Sequence, residues 1–108
     1  MPNVTFFIQV ENMPPSNVLA ELTAHCTRLC TGILNAALEN VHIIHVAAHQ
    51  GRGHPIFAEI KYRLDPLRTR QVMEDFMEKL DEAIHRETGL TARIRCFGYA
   101  PPSIHARN

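Results

Sequence analysis

Met1-Pro2-Asn3-Val4-Thr5-Phe6-Phe7-Ile8-Gln9-Val10 opens the chain. β-Branched and aromatic residues fill positions 3–10, with Val4, Phe6, Ile8 and Val10 on one face and Thr5 and Gln9 on the other. That period of two predicts a strand with one face in a core. It is expected to stop at Glu11-Asn12-Met13-Pro14-Pro15, where two prolines remove donors, and Ser16 stands where a helix wants its cap. Val18, Leu19, Leu22, Cys26, Leu29, Cys30 and Ile33 then recur at steps of three and four. This spacing predicts a helix of about four turns, closed by Thr31-Gly32.

The pattern then repeats. Val41–Ala48 reads as a second strand, Gln50-Gly51-Arg52-Gly53 as a turn, and Ile56–Tyr62 as a third strand. Asp65-Pro66 has the form of a helix start, a capping carboxylate before a proline. Leu67, Val72, Phe76, Leu80, Ala83 and Ile84 are expected to face inward, with Glu74, Glu78 and Glu82 on the wet side and Gly89 as the stop. Arg93–Tyr99 alternates again, Ile94 and Cys96 against Arg93, Arg95, Phe97 and Tyr99, and Pro101-Pro102 ends it.

The fold class expected is therefore α+β: two βαβ units, about 2–48 and 54–100, forming a four-stranded sheet with two helices on one face. A tail follows at 101–108. The 108 residues suit one domain. Strand residues are apolar on both faces (Phe6 with Phe7, Ile43 with Ile44, Ile56 with Phe57), so the open face is expected to be covered by further copies.

Eleven Lys and Arg balance eleven Asp and Glu, which gives no electrostatic footprint for nucleic acid or an anionic membrane surface. No apolar run approaches the roughly 18–20 residues of a membrane span, and Met-Pro-Asn lacks the start of a signal peptide. A cytoplasmic protein is expected. The three cysteines suit reduced thiols, with Cys26 and Cys30 on the inward stripe of the first helix. Four of seven histidines fall at 42, 45, 49 and 54. His42 faces opposite to His45 and His49, and those two stand about 13 Å apart along a strand, too far to share a zinc ion. No metal and no cofactor are expected.

Proline at position 2 carries the chemistry. Initiator methionine is commonly trimmed ahead of small residues, and the chain would then begin with a secondary amine. Burial or a neighbouring cation would lower that amine's pKa toward neutrality and suit it to general base work.

A proline directly before strand one of a double βαβ chain resembles the tautomerase superfamily. The likeness covers the chain: Leu22-Thr23 and Thr31-Gly32 on the first helix, the Val41–Val46 strand, Arg70-Gln71 entering the second helix, Arg93-Ile94, Tyr99 and Pro101-Pro102. It implies a homotrimer with three sites at subunit boundaries, no cofactor, and a small-molecule carboxylate substrate. Pro2 would be the base that takes a proton next to a carbonyl or from an enol and returns it at another carbon, with cations holding the carboxylate and the enolate. His42 matches a strand-two position where some members carry an arginine, and Arg95 a strand-four position where others carry a pocket tyrosine. Phe97 and Tyr99 share the face of Arg95 and offer it aromatic walls. Solvated strand arginine is the alternative reading of Arg93 and Arg95.

Two positions depart from the pattern. The arginine some members carry after strand one is absent from Glu11-Asn12-Met13, and the lysine others place after the Thr-Gly is replaced by Ile33. The competing function is a non-catalytic ferredoxin-like module that oligomerises or binds a small ligand, in which Pro2 is incidental.

Overall fold

The computed structural model describes all residues, 1–108. Strand β1 spans Asn3–Gln9, helix α1 Ser16–Gly32, β2 His42–Ala48, β3 Ile56–Arg63, α2 Arg70–Thr88 and β4 Ala92–Tyr99. Short 3-10 turns occupy Val10–Asn12, Leu38–Asn40 and Pro101–Ser103. The four strands form one sheet in the order β2-β1-β3-β4. β1 is parallel to β2, β3 is parallel to β4, and the central pair, β1 with β3, is antiparallel. A parallel neighbour needs a crossover helix, so each helix follows from its own strand pair.

Alternation sets the two faces. Val4, Phe6 and Ile8 of β1 join Ile56, Ala58 and Ile60 of β3 in one buried cluster with Leu22, Cys26 and Cys30 of α1 and Met73, Phe76, Leu80 and Ile84 of α2. Both helices therefore cover the same face, as the α+β reading requires. On the opposite face Phe7 and Phe57 are register partners stacked at 5.9 Å and half-buried. Ile44, Phe97 and Tyr99 on that face are 56%, 44% and 39% exposed.

Several boundaries differ from the sequence reading. β1 ends at Gln9, and Val10 turns out of the sheet into the 3-10 turn, 41% exposed. Pro15, not Ser16, is the cap residue of α1, and it supplies no side-chain bond. Asp65-Pro66 does not start α2: the Asp65 carboxylate accepts from the Leu67 N–H at 2.8 Å and its carbonyl from the Arg68 N–H at 2.9 Å, closing a separate turn. Arg68 holds that turn against the rest of the chain, donating Nε to the Leu34 carbonyl and Nη1 to the Arg63 carbonyl. The helix begins only at Arg70, where Thr69 Oγ1 accepts from the Val72 N–H. Leu67 consequently sits 64% exposed, and Met73 takes the first inward position of α2. Gly89, in the left-handed region at φ 73°, ends the helix as expected.

His45 lies on the helix face of β2. Its ring stacks on that of its register partner Phe6, with centroids 5.5 Å apart, and its Nε2 stands 3.5 Å from Thr23 Oγ1 of α1. Burial holds its pKa below the ordinary histidine value. The unfolded chain therefore binds the proton first as pH falls. Stability is full above the ordinary value of about 6.5 and declines as pH drops below it. The slope is bounded by about 1.4 kcal/mol per pH unit and reduced by the ring's partial exposure. Urea melts between pH 7.5 and 5 should show this decline, and His45→Phe should flatten it; equal slopes in the two chains would exclude His45 as its source.

Candidate active site

The parallel and antiparallel pairings bring four chain ends to one end of the sheet. β1 and β2 begin there, at Asn3 and His42, and β3 and β4 finish there, at Arg63 and Tyr99. Pro2 immediately precedes β1, with its ring buried. Its carbonyl accepts from the His42 N–H at 3.1 Å, which extends the β1–β2 ladder by one residue and fixes the prolyl backbone. Met1 stands before it, so the Pro2 nitrogen is an amide in this structure and the chain's amine belongs to Met1.

An open cleft of about 1220 Å³ lies over this end, lined among others by Met1, Asn3, His42, Lys61, Arg63 and Arg68. The Met1 amine has a pKa below that of an ordinary terminal amine, first because of burial, then because of the guanidiniums of Arg63 and Arg68. Lys61 is paired with Glu59 at 3.5 Å. Arg63 and Arg68 enter none of the chain's ion pairs. The cleft thus holds a partly buried amine beside two guanidiniums that form no ion pair, with the carboxylates of Glu39, Glu59 and Asp65 also in its lining, and its neighbours favour the neutral form of the amine.

Of the residues singled out from the sequence, the structure brings His42 into the cleft, whereas Pro2, bonded through its carbonyl to the His42 N–H, is fully buried and does not itself line it. Arg95, Phe97 and Tyr99 share the open face of β4, as their spacing predicts, but do not line the cleft of their own protomer. They lie two strands from β1, about 10 Å across the sheet. Tyr99 is the register partner of Arg63, Phe97 of Lys61 and Arg95 of Glu59. Arg95 Nη1 donates to the neighbouring Ile94 carbonyl at 2.7 Å.

The sequence reading missed Lys61, Arg63 and Arg68. The first two carry a signal: Glu59, Lys61 and Arg63 alternate with the buried Ile60 and Tyr62, so a charged stripe on the third strand was there to be read. Arg68 carries none, since its place depends on a turn mistaken for helix.

No three His, Cys, Asp or Glu side chains gather closely enough to hold a metal ion. The thiols are free; Cys26 and Cys30 are wholly buried, and burial pushes Cys96 up to about 12. No helix is long and apolar enough to cross a membrane.

No family model matches the sequence, and no curated protein matches it. Solved structures do. A native fused 4-OT superposes with a TM-score of 0.85 over 97% of this chain and 92% of its own, at 15% identity. Pt0534 inactivated by 2-oxo-3-pentynoate gives 0.81 over 96% and 90%, at 13% identity. A macrophage migration inhibitory factor-like protein of Entamoeba histolytica gives 0.75 over 98% and 95%, at 10% identity. So distant a likeness shows backbone architecture alone: the chain shares the fold of these solved proteins.

Proposed function

We propose that this protein is a cofactor-independent tautomerase of a small enol or keto acid, with Pro2, freed of Met1, as general base. The observation that carries the reading is the buried proline at the head of β1, next to a partly buried terminal amine whose neighbours include the guanidiniums of Arg63 and Arg68. A neutral amine there takes the proton of an enol hydroxyl and delivers it to carbon, as the C=C–O unit becomes C–C=O. Cations hold the substrate carboxylate and the oxygen on which charge develops.

Fused 4-OT proteins have been solved as asymmetric and symmetric trimers. By the same architecture we place this chain in a homotrimer, its open sheet face turned inward and its sites at the boundaries. Arg95, Phe97 and Tyr99 of one protomer then approach the cleft of the next, where Arg95 meets the substrate carboxylate and His42 completes the wall. The balanced charge gives no attraction to nucleic acid or to an anionic membrane, and we place the protein in the cytoplasm.

The test is ketonisation of phenylenolpyruvate or 2-hydroxymuconate, followed by absorbance. The purified protein is expected to accelerate it well above solvent; a rate no greater than solvent's across a panel of small enol acids ends the enzyme reading. In the rival small-ligand module Pro2 is incidental. Intact mass separates the two, because a chain that keeps Met1 has no prolyl amine.

A further inference from the structure

Gly98 stands between Phe97 and Tyr99 near the end of β4. It is not among the glycines of positive φ, so what the position requires of it is space. A β-carbon there would lie 2.6 Å from Leu64 Cδ2 and 2.9 Å from both Cζ and Oη of Tyr62, where non-bonded carbons in contact keep about 3.5–4.0 Å. Tyr62 is the register partner of Gly98 on β3, so its ring and the Leu64 side chain lie across the bare main chain of β4. Leu64 is 45% exposed and free to swing outward, whereas Tyr62 is 9% exposed and part of the core cluster.

That seat carries one wall of the cleft. The Leu64 N–H donates to the Tyr99 carbonyl at 2.9 Å, which extends the β3–β4 pairing one residue past Arg63. Leu64 then leads into the turn from which Arg68 reaches back to the Arg63 and Leu34 carbonyls. Arg63, Asp65 and Arg68 line the cleft; Leu64 and Gly98 do not. The other charged or titratable residues of the lining are Glu39, His42, Glu59, Lys61, His105 and Arg107, none of them on the seated segment. Within that segment the Asp65 carboxylate is engaged by the Leu67 N–H, which leaves the two guanidiniums as the charges that act on the terminal amine.

We propose that Gly98 is a positioning residue of the candidate active site: by carrying no side chain it seats Leu64 and the Tyr62 ring against β4, and so fixes where Arg63 and Arg68 stand beside the terminal amine. This role rests on the reading of the cleft as a substrate site. An alanine at 98 has to push Leu64 off the strand or lift the Tyr62 ring, and either movement draws the turn outward. Repulsion between the guanidiniums and a protonated amine weakens with distance. The amine then holds its proton to higher pH, and the neutral base appears later in a titration.

The test is a double-mutant cycle on the whole protein, read by NMR titration of the isotope-labelled terminal amine and by the pH profile of ketonisation. Gly98→Ala is expected to raise the amine's pKa, to move the acid limb of the profile upward with it, and to slow ketonisation at neutral pH by up to about 10²-fold, the scale of a misplacement of about 1 Å. Leu64→Ala empties the seat instead of overfilling it and should raise the amine's pKa as well. In the Gly98→Ala, Leu64→Ala double variant the new β-carbon takes the room that Cδ2 vacates, and the amine should return toward wild type. A merely structural role would lower melting temperatures and leave the amine's titration alone. An amine in Gly98→Ala that titrates as in wild type, or a double variant that shows the sum of the two single shifts, overturns the proposal. Should Gly98→Ala fail to fold, Leu64→Ala decides, with an unshifted amine overturning the role and an upward shift supporting it. The titration needs no turnover, so an amine that shifts in a chain inactive on every enol acid removes the tautomerase reading and leaves the positioning role standing.

Discussion

Pro2→Ala should lower ketonisation by about 10²–10⁴-fold, the usual contribution of a general base, while leaving the fold intact. The mature variant would still begin with an amine, so the loss measures what proline in particular contributes. A secondary amine locked in a ring cannot rotate away from the cleft, and the bond from the His42 N–H to the Pro2 carbonyl keeps that ring in register with β2. Alanine retains the backbone bond but loses the ring that fills the buried position. The pH profile makes the claim stricter. Only the neutral amine works, so the rate rises with pH through the amine's pKa and levels off above it. The surroundings that lower the Met1 amine, burial first and the guanidiniums of Arg63 and Arg68 next, should act on its successor, so activity should persist at lower pH than an ordinary terminal amine allows. Arg63→Ala removes one positive neighbour and should move the acid limb upward. A Pro2→Ala enzyme as fast as wild type, or an acid limb indifferent to Arg63, would show that the proton moves by another route.

The fold was legible because its signals are local and repeated. Period two at Val4, Phe6 and Ile8 and steps of three and four at Leu22, Cys26 and Cys30 each name an element and its buried face, and all six residues are in the core. Asp65-Pro66 misled for a physical reason. A carboxylate cap closes a turn as readily as it starts a helix, and what decided the matter here was a guanidinium three residues on reaching carbonyls at 34 and 63, which no local rule contains. Leu34 was missed likewise: it falls beyond the end of α1 yet is 1% exposed. The site was legible only in part. Pro2 and His42 are positioned by strand pairing, which the sequence pattern implies, whereas Arg68 owes its place to tertiary contacts between turns. Arg95, Phe97 and Tyr99 were placed on the right face, but a face alone does not say which protomer's cleft it serves.

Phe76→Ala should be the most damaging single truncation in the core, costing about 3–5 kcal/mol. Phe76 is wholly buried on α2, in the one cluster that joins both helices to β1 and β3. Removing its ring leaves a void bounded by the sheet, which is fixed by the register of the antiparallel centre and yields little. Against a total stability of about 5–15 kcal/mol for a domain of this size, such a loss brings the isolated protomer close to unfolding at room temperature. The melting temperature should fall by roughly 12–40 °C at the usual 4–8 °C per kcal/mol. Phe97→Ala supplies the contrast, because that ring is 44% exposed on the open face and borders no core void. If the open face meets other copies, the Phe97→Ala melt should change little at dilution and drop at concentrations where wild type is assembled, whereas the Phe76→Ala loss should appear at every concentration. Sedimentation beside the thermal melt distinguishes them. A Phe76→Ala protein melting within a few degrees of wild type would mean that the helix layer collapses onto the sheet, and that the core is far more plastic than its burial implies.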